Sequence, residues 1–241
     1  MRKYGLIGFP LSHSFSPGYF KVKFEKEQIN DAEYKSYAID KIEKFLDLVS
    51  DGLIGLNVTI PYKEKVIPYL DQLDETAKAV QAVNTIKVIN GKLIGYNTDV
   101  YGFQISLESF LEDDLPSSAL ILGTGGAAKA VEYVLNRLRI KYSYVSRNPA
   151  FITYSELSKE IIQNHRLIIN TTPLGMSPNI DSFPSIPYDA ITSKHFFYDL
   201  VYNPEKTLFL IKAQKFGARI KNGKDMLHLQ AEKSWQIWNH Q

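Results

Sequence analysis

The chain has 241 residues, of which 44% are hydrophobic, 12% aromatic and 22% charged, a composition that supports an ordinary buried core and excludes a disordered or fibrous chain. Its 28 basic and 26 acidic residues leave a formal charge of +2, with no run of more than two basic residues, so it carries no electrostatic footprint for nucleic acid. Cysteine is absent, which removes disulfides, thiolate metal sites and a cysteine nucleophile together. No stretch approaches the roughly eighteen consecutive apolar residues of a membrane span. The first apolar stretch is broken at Pro10, too early for a signal segment, and a cytoplasmic protein without a membrane partner is expected.

Short apolar runs alternate with helix-length amphipathic stretches from end to end, the pattern of parallel strands joined by crossover helices, so the fold class is α/β. In chain order the pattern predicts strands at 4–8, 34–39, 53–60, 83–89 and 92–96, with helices at 17–27, 42–50 and 63–70. Asn90-Gly91, between the last two of these strands, signals a hairpin turn. A further helix runs from Asp99 or Val100 towards Phe110, with Thr98 or Asp99 placed to cap it. The acidic, proline-containing segment 111–118 reads as a linker. A second series follows, with strands at 118–122, 143–146, 167–170, 197–200 and 218–220. Pro173, Pro178, Pro184 and Pro187 mark 173–187 as a surface loop, and the C-terminal helix bearing Trp235 and Trp238 reads as core packing.

The most interpretable segment is SALILGTGGAAKAVEYVLNRL, an apolar strand, a glycine turn and a helical pattern. It fits G-x-G-x-x-A: Gly123 permits the tight turn, Gly125 lets the backbone approach a pyrophosphate, and Ala128 lets the helix pack closely on the strand. The helix amides then face the anion, so a dinucleotide is implied, the alternative being a glycine turn that only tightens a strand–helix joint. The next strand ends in Ser146-Arg147-Asn148 with no carboxylate. An arginine there favours a 2′-phosphate and hence NADP, because guanidinium donates paired hydrogen bonds to phosphate and stacks on adenine; a surface arginine at a strand end is also common.

Three polar groups stand at predicted strand ends, where open α/β sheets bind ligands: Ser12-His13-Ser14, the run from Asn57 to Lys63, and Asn84 with Asn97-Thr98-Asp99. Their hydroxyls and amides suit a polyhydroxylated small molecule, and each could instead cap a helix. Lys63 and Asp99 are the titratable pair of interest. A lysine ammonium can protonate a developing alkoxide while a carboxylate holds it in place, and a lysine at a helix start can equally be a solvated surface charge. The five histidines show no metal-ligand spacing and no G-x-S-x-G elbow is present, so neither a metal site nor a Ser-His-Asp triad is expected.

Taken together, the segments resemble the shikimate dehydrogenase family over essentially the whole chain. The motifs, in order, are GxPLxHSxSP at 8–17, NVTxPxK at 57–63, AVNT at 82–85, GxNTD at 95–99, GxGGAAxA at 123–130, NTTPLGM at 170–176, DxxYxPxxT at 199–207 and GxxMLxxQA at 223–231. The resemblance implies two domains, a discontinuous α/β substrate-binding domain with a mainly parallel sheet at 1–100 and 222–241 and a Rossmann-type NADP-binding domain at 101–221, with the active site in the cleft between them. It implies reversible NADPH-dependent reduction of 3-dehydroshikimate to shikimate, within aromatic amino acid and chorismate biosynthesis. Lys63 would be the acid/base, oriented with Asp99. Ser12 and Ser14 would hold the substrate carboxylate; Thr59, Asn84, Asp99 and Gln230 the ring hydroxyls, with Asn57 lining the pocket and Tyr202 near the ring. Gly123, Thr124, Gly125, Gly126 and Ala127 would meet the pyrophosphate, and Ser146, Arg147 and Asn148 the adenosine phosphate. Leu200 and Gly223 would lie near the nicotinamide, with Glu75 a further contact.

Three departures stand out. Thr124 replaces the family's usual alanine and is expected to face away from the ligand. Asn148 stands where threonine is usual, and no second basic residue follows Arg147 before Phe151. A quinate/shikimate dehydrogenase using NAD or NADP, a dehydrogenase for another polyol or amino acid, and a non-catalytic NADP-binding sensor are the rival readings; retention of both Lys63 and Asp99 speaks against the last. A monomer or a homodimer is compatible with the sequence.

Overall fold

A computed structural model describes residues 1–11 and 14–240. They divide into two compact units, one formed by Met1–Thr98 with the residues from Ala231 onward, the other by Asp99–Gln230.

The first unit is built on β1 (Arg2–Gly8), α1 (Phe15–Lys26), β2 (Ala32–Ala38), α2 (Phe45–Ser50), β3 (Leu53–Val58), β4 (Gln72–Leu73), α3 (Glu75–Val80), β5 (Thr85–Ile89) and β6 (Lys92–Tyr96). The strands form a six-stranded sheet in the order β2-β1-β3-β5-β6-β4. β1 pairs in parallel with β2 and β3, and β4 with β6, whereas β5 runs antiparallel to β3 and β6. Asn90 and Gly91, both at positive φ (51° and 73°), close the β5–β6 hairpin as their residue types require. Successive strand residues point to opposite faces, so β1 sends Ile7 into a cluster with Phe45, Leu56, Val58, Val83 and Ile86, and Tyr4 into another with Phe20, Phe24 and Trp238. Trp238 stacks on Tyr4 at 4.9 Å and donates from Nε1 to the Ile86 carbonyl at 2.9 Å, which gives the C-terminal helix the packing role expected of it.

The second unit holds most of α4 (Thr98–Leu111), then β7 (Ser118–Leu122), α5 (Gly126–Arg137), β8 (Lys141–Val145), α6 (Lys159–Asn164), β9 (Leu167–Asn170), β10 (Phe196–Asp199), α7 (Leu208–Lys215) and β11 (Arg219–Lys221). Helix α8 (Lys224–Asn239) contributes residues to both units. The sheet runs β11-β10-β9-β7-β8 with every pair parallel, a doubly wound order whose direction reverses at β7. Residues 119–122 of β7 are fully buried, as a central parallel strand covered on both faces must be.

Two expectations differ from the structure. The helix expected at 63–70 is replaced by turns and a 3₁₀ segment at Ile67–Tyr69, where Pro68 has no amide to donate and i→i+3 bonds from Ile67 and Tyr69 hold the chain instead. The segment 111–118 lies inside the second unit, anchored by fully buried Leu111 and by the Arg166–Asp114 ion pair at 2.8 Å; acidic surface and a proline gave it a linker's composition.

Candidate active site

In the first unit the polar groups at the strand ends form one buried network. Asn57, at the end of β3, accepts from the Tyr34 hydroxyl at 2.8 Å and donates from Nδ2 towards the Asn84 carbonyl (3.3 Å), Thr85 Oγ1 (3.2 Å) and Ser234 Oγ (3.0 Å). Asn84 accepts at Oδ1 from the Thr98 amide at 2.7 Å, which satisfies the first amide of α4, and donates from Nδ2 to Thr98 Oγ1 at 2.9 Å. Ser234, fully buried on α8, lies 2.8 Å from Thr85 Oγ1 and 3.2 Å from Thr98 Oγ1. Asn57 and Asn84 are thereby brought together, and both have their amides held in one orientation.

Ser14 precedes α1 in extended conformation but its side chain makes no capping bond, so for this serine the capping alternative does not hold. Ser12 and His13 lie outside the described residues. Thr59 donates its amide to the Ile7 carbonyl at 3.0 Å, and Lys63, half-buried, accepts from the Val83 amide at 2.7 Å, so both are pinned by backbone to the end of the sheet. Glu75 is exposed in the first turn of α3, whose N-cap is Asp74.

In the second unit Asp99 sits half-buried in the first turn of α4, where the helix dipole favours a carboxylate. One turn on, Gly102 packs against α8: a Cβ there would lie 2.5 Å from the Met226 carbonyl and 3.1 Å from Gln230 Cβ. The absent side chain brings the helix carrying Asp99 against the helix carrying Gln230. Gln230 is buried and donates to the Leu227 carbonyl at 2.9 Å. Tyr202 is half-buried, and burial raises its phenol pKa.

A crevice of about 430 Å³ opens at the carboxyl ends of β7, β8 and β9, the point where the strand order reverses. Gly123, Thr124 and Gly125 line one part, Ser146 and Arg147 another, and residues 171–174 a third. Gly123 adopts φ +106°, and a Cβ on it would meet Thr171 Oγ1 at 2.8 Å and Thr172 Cγ2 at 2.9 Å, so only glycine fits. At Gly125 and Gly126 a Cβ would meet nothing within 4 Å, and no side chain caps α5. Open space at a helix N-terminus beside an arginine fits a dinucleotide's phosphates. Thr124 lines the crevice instead of facing away: its place on the exposed tip of the loop, between two glycines, leaves it no core to face. Asn148 is exposed and donates its amide to Ser146 Oγ at 3.1 Å, while Ala127 is in the first turn of α5.

The loops around the crevice are tied to one buried carboxylate. Asp199, fully buried at the end of β10, accepts from Thr207 Oγ1 (2.5 Å), Asn170 Nδ2 (2.9 Å) and the Val201 amide (3.0 Å). Asn170 in turn accepts from the Thr172 amide and hydroxyl. Leu200 donates its amide to the Asn170 carbonyl, and Gly223 approaches so closely that a Cβ would lie 2.1 Å from the Leu200 carbonyl oxygen. Leu200 and Gly223 are therefore in contact.

Burial raises the Asp199 carboxyl to about 6, against its three hydrogen bonds, which pull it down. Between the unfolded value near 4 and about 6 the folded chain binds more protons, so this group's stabilising contribution is present at low pH and is lost as pH rises through that window. Asp199→Asn keeps an acceptor and removes the titration. Unfolding measured from pH 4 to 7 is expected to show the wild type losing about 3 kcal/mol relative to this variant across the window, and parallel profiles would refute it.

Thr171, Thr172 and Pro173, within the motif at 170–176, also line the crevice; the motif alone assigns them no role, although their place after β9 is signal enough. Tyr34, Thr85 and Ser234 carried no signal of their polar contacts, and neither did Tyr154, another crevice residue.

Residues 6–86 match the family model described as the shikimate dehydrogenase substrate binding domain. The chain is 40% identical to the NADP(+) shikimate dehydrogenase of Methanococcus maripaludis, over 97% of this chain and 90% of that one. The crystal structure of shikimate 5-dehydrogenase from Thermus thermophilus in complex with NADP(H) and shikimate superposes with a TM-score of 0.88 at 28% identity, covering 99% of this chain and 94% of that one. Quinate dehydrogenase from Corynebacterium glutamicum in complex with NAD superposes with a TM-score of 0.89 at 25% identity, covering 99% and 93%. Among the described residues no helix is long and apolar enough to cross a membrane.

Proposed function

The chain belongs to the shikimate dehydrogenase family, and from that premise we propose the residue roles by which it carries out the reversible, NADP-dependent reduction of 3-dehydroshikimate to shikimate in the shikimate pathway. The observation that carries the cofactor side is the crevice where Gly123, Gly125, Ser146 and Arg147 converge at the carboxyl edge of the sheet. Gly123, Thr124, Gly125, Gly126 and Ala127 hold the pyrophosphate, with Ser146, Arg147 and Asn148 at the adenosine phosphate. Leu200 and Gly223 border the nicotinamide, and Glu75 adds a contact. NADPH, when bound, supplies the hydride that the substrate's carbonyl carbon takes up.

The chain's own work is to bind, orient and move a proton. Ser12 and Ser14 hold the substrate carboxylate. Thr59, Asn84, Asp99 and Gln230 bind the ring hydroxyls, Asn57 lines the pocket and steadies Asn84 through their shared network, and Tyr202 lies near the ring. As the carbonyl oxygen becomes an alkoxide, the Lys63 ammonium gives it a proton; in the reverse direction neutral Lys63 removes it. Asp99 orients Lys63. We place the reaction in the cytoplasm, in a monomer or homodimer acting on a small-molecule substrate without nucleic acid, consistent with the slight net charge.

The test is a spectrophotometric assay of the purified protein with shikimate and with quinate, each with NADP and NAD. Shikimate-dependent reduction of NADP should exceed every other combination. Quinate turnover with NAD at a comparable rate would support the quinate/shikimate reading, and no turnover under any combination would leave a sensor or another substrate.

A further inference from the structure

Tyr154 lines the same crevice as Arg147, on an irregular stretch between β8 and α6. Its ring packs against the core cluster that includes Val145, Leu157 and Ile186, so the side chain is anchored. Its hydroxyl has no hydrogen-bond partner among the described residues, and among those residues no buried side-chain oxygen or nitrogen lacks a partner. The phenol oxygen is therefore open to solvent, and the surface it belongs to is the crevice. Burial raises the phenol's pKa and the nearby Arg147 charge opposes the rise, which keeps Tyr154 a neutral O–H donor at physiological pH. Arg147 is itself exposed and without an ion-pair or hydrogen-bond partner among the described residues.

A phosphate monoester dianion needs cationic charge and several donors. The crevice has one cation, Arg147, no acidic lining residue among those described, and no second basic residue before Phe151. We propose that the Tyr154 hydroxyl is a further ligand of the cofactor's adenosine 2′-phosphate, donating to a phosphate oxygen beside Arg147 and so contributing to the choice of NADP over NAD. The inference rests on the NADP reading above. The hydroxyl discriminates without charge: it gains a strong acceptor from the phosphate and only a weak one from a free ribose hydroxyl.

Calorimetric titration of the full chain with 2′,5′-ADP and with 5′-AMP tests it without turnover. Tyr154→Phe keeps the packed ring, which unliganded thermal unfolding verifies. The variant is expected to bind 2′,5′-ADP about tenfold more weakly while its affinity for 5′-AMP changes less than about twofold. With Arg147→Gln in a double-mutant cycle the two losses should be less than multiplicative, because both groups act on one phosphate. Unchanged 2′,5′-ADP affinity in Tyr154→Phe, or an equal loss for both ligands, overturns the assignment of Tyr154 and leaves the NADP reading intact. A wild type that binds the two ligands alike overturns both.

Discussion

Lys63→Met should lower turnover in both directions by about a hundred- to ten-thousandfold, the usual worth of a positioned acid or base, while shikimate affinity falls far less. The reasoning is geometric as well as chemical. The Lys63 carbonyl accepts a hydrogen bond from the Val83 amide, one residue before Asn84, which fixes the Lys63 backbone next to the buried network of Asn84 and Thr98. Methionine keeps most of the stem and no transferable proton, so packing changes little. The deficit should therefore appear in kcat, with calorimetric shikimate binding within about tenfold of wild type. Turnover within a few-fold of wild type would remove Lys63 from the proton-transfer role.

Gly223→Ala is the second large effect. Its Cβ would stand 2.1 Å from the Leu200 carbonyl oxygen and 2.7 Å from the carbonyl carbon, and both are backbone atoms that no rotamer change can move aside. Relief requires the segment after β10 or the start of α8 to shift, and the first of these is held by hydrogen bonds from the Leu200 amide to the Asn170 carbonyl and from the Val201 amide to buried Asp199. Overpacking of this kind costs about 1–3 kcal/mol. A lowered thermal midpoint is expected, together with loss of at least about tenfold in NADP-dependent kcat, since relief of this approach takes a shift of about 1 Å and, with Gly223 at the nicotinamide as proposed, a misplacement of that size is felt strongly in the rate. Wild-type midpoint and kcat together would show that the segment yields freely and that Gly223 has no constraining role.

The parts of the site legible in the sequence are those dictated by local backbone requirements. A strand, Gly123-Thr124-Gly125 and a helix can be read in line because the turn needs glycine at positive φ and the helix needs an open N-terminus. Asn90-Gly91 is read the same way, because both residues of that turn sit at positive φ. The placement of Asn57, Ser146 and Leu200 at or just beyond the ends of β3, β8 and β10 follows from hydrophobic periodicity, since the apolar run of each buried strand marks where it stops.

What periodicity could not supply is partnership across the sheet. An expected helix at 63–70 failed because Pro68 outweighed an otherwise helical pattern, and 111–118 looked like a linker because composition does not reveal that Leu111 is buried. Sequence by itself determined the α/β class, the glycine loop at the head of its helix and the chemical type of each candidate group, all consequences of short-range backbone and side-chain chemistry. Only the tertiary structure decided the strand order that puts the crevice at β7, the joining of Asn57, Asn84, Thr85, Thr98 and Ser234 from distant segments, and the exposure of the Tyr154 hydroxyl beside Arg147. These depend on which residues meet once β-strands and helices pack, and a hydrogen bond such as Asn57–Ser234, between residues 177 positions apart, leaves no periodic trace in the chain.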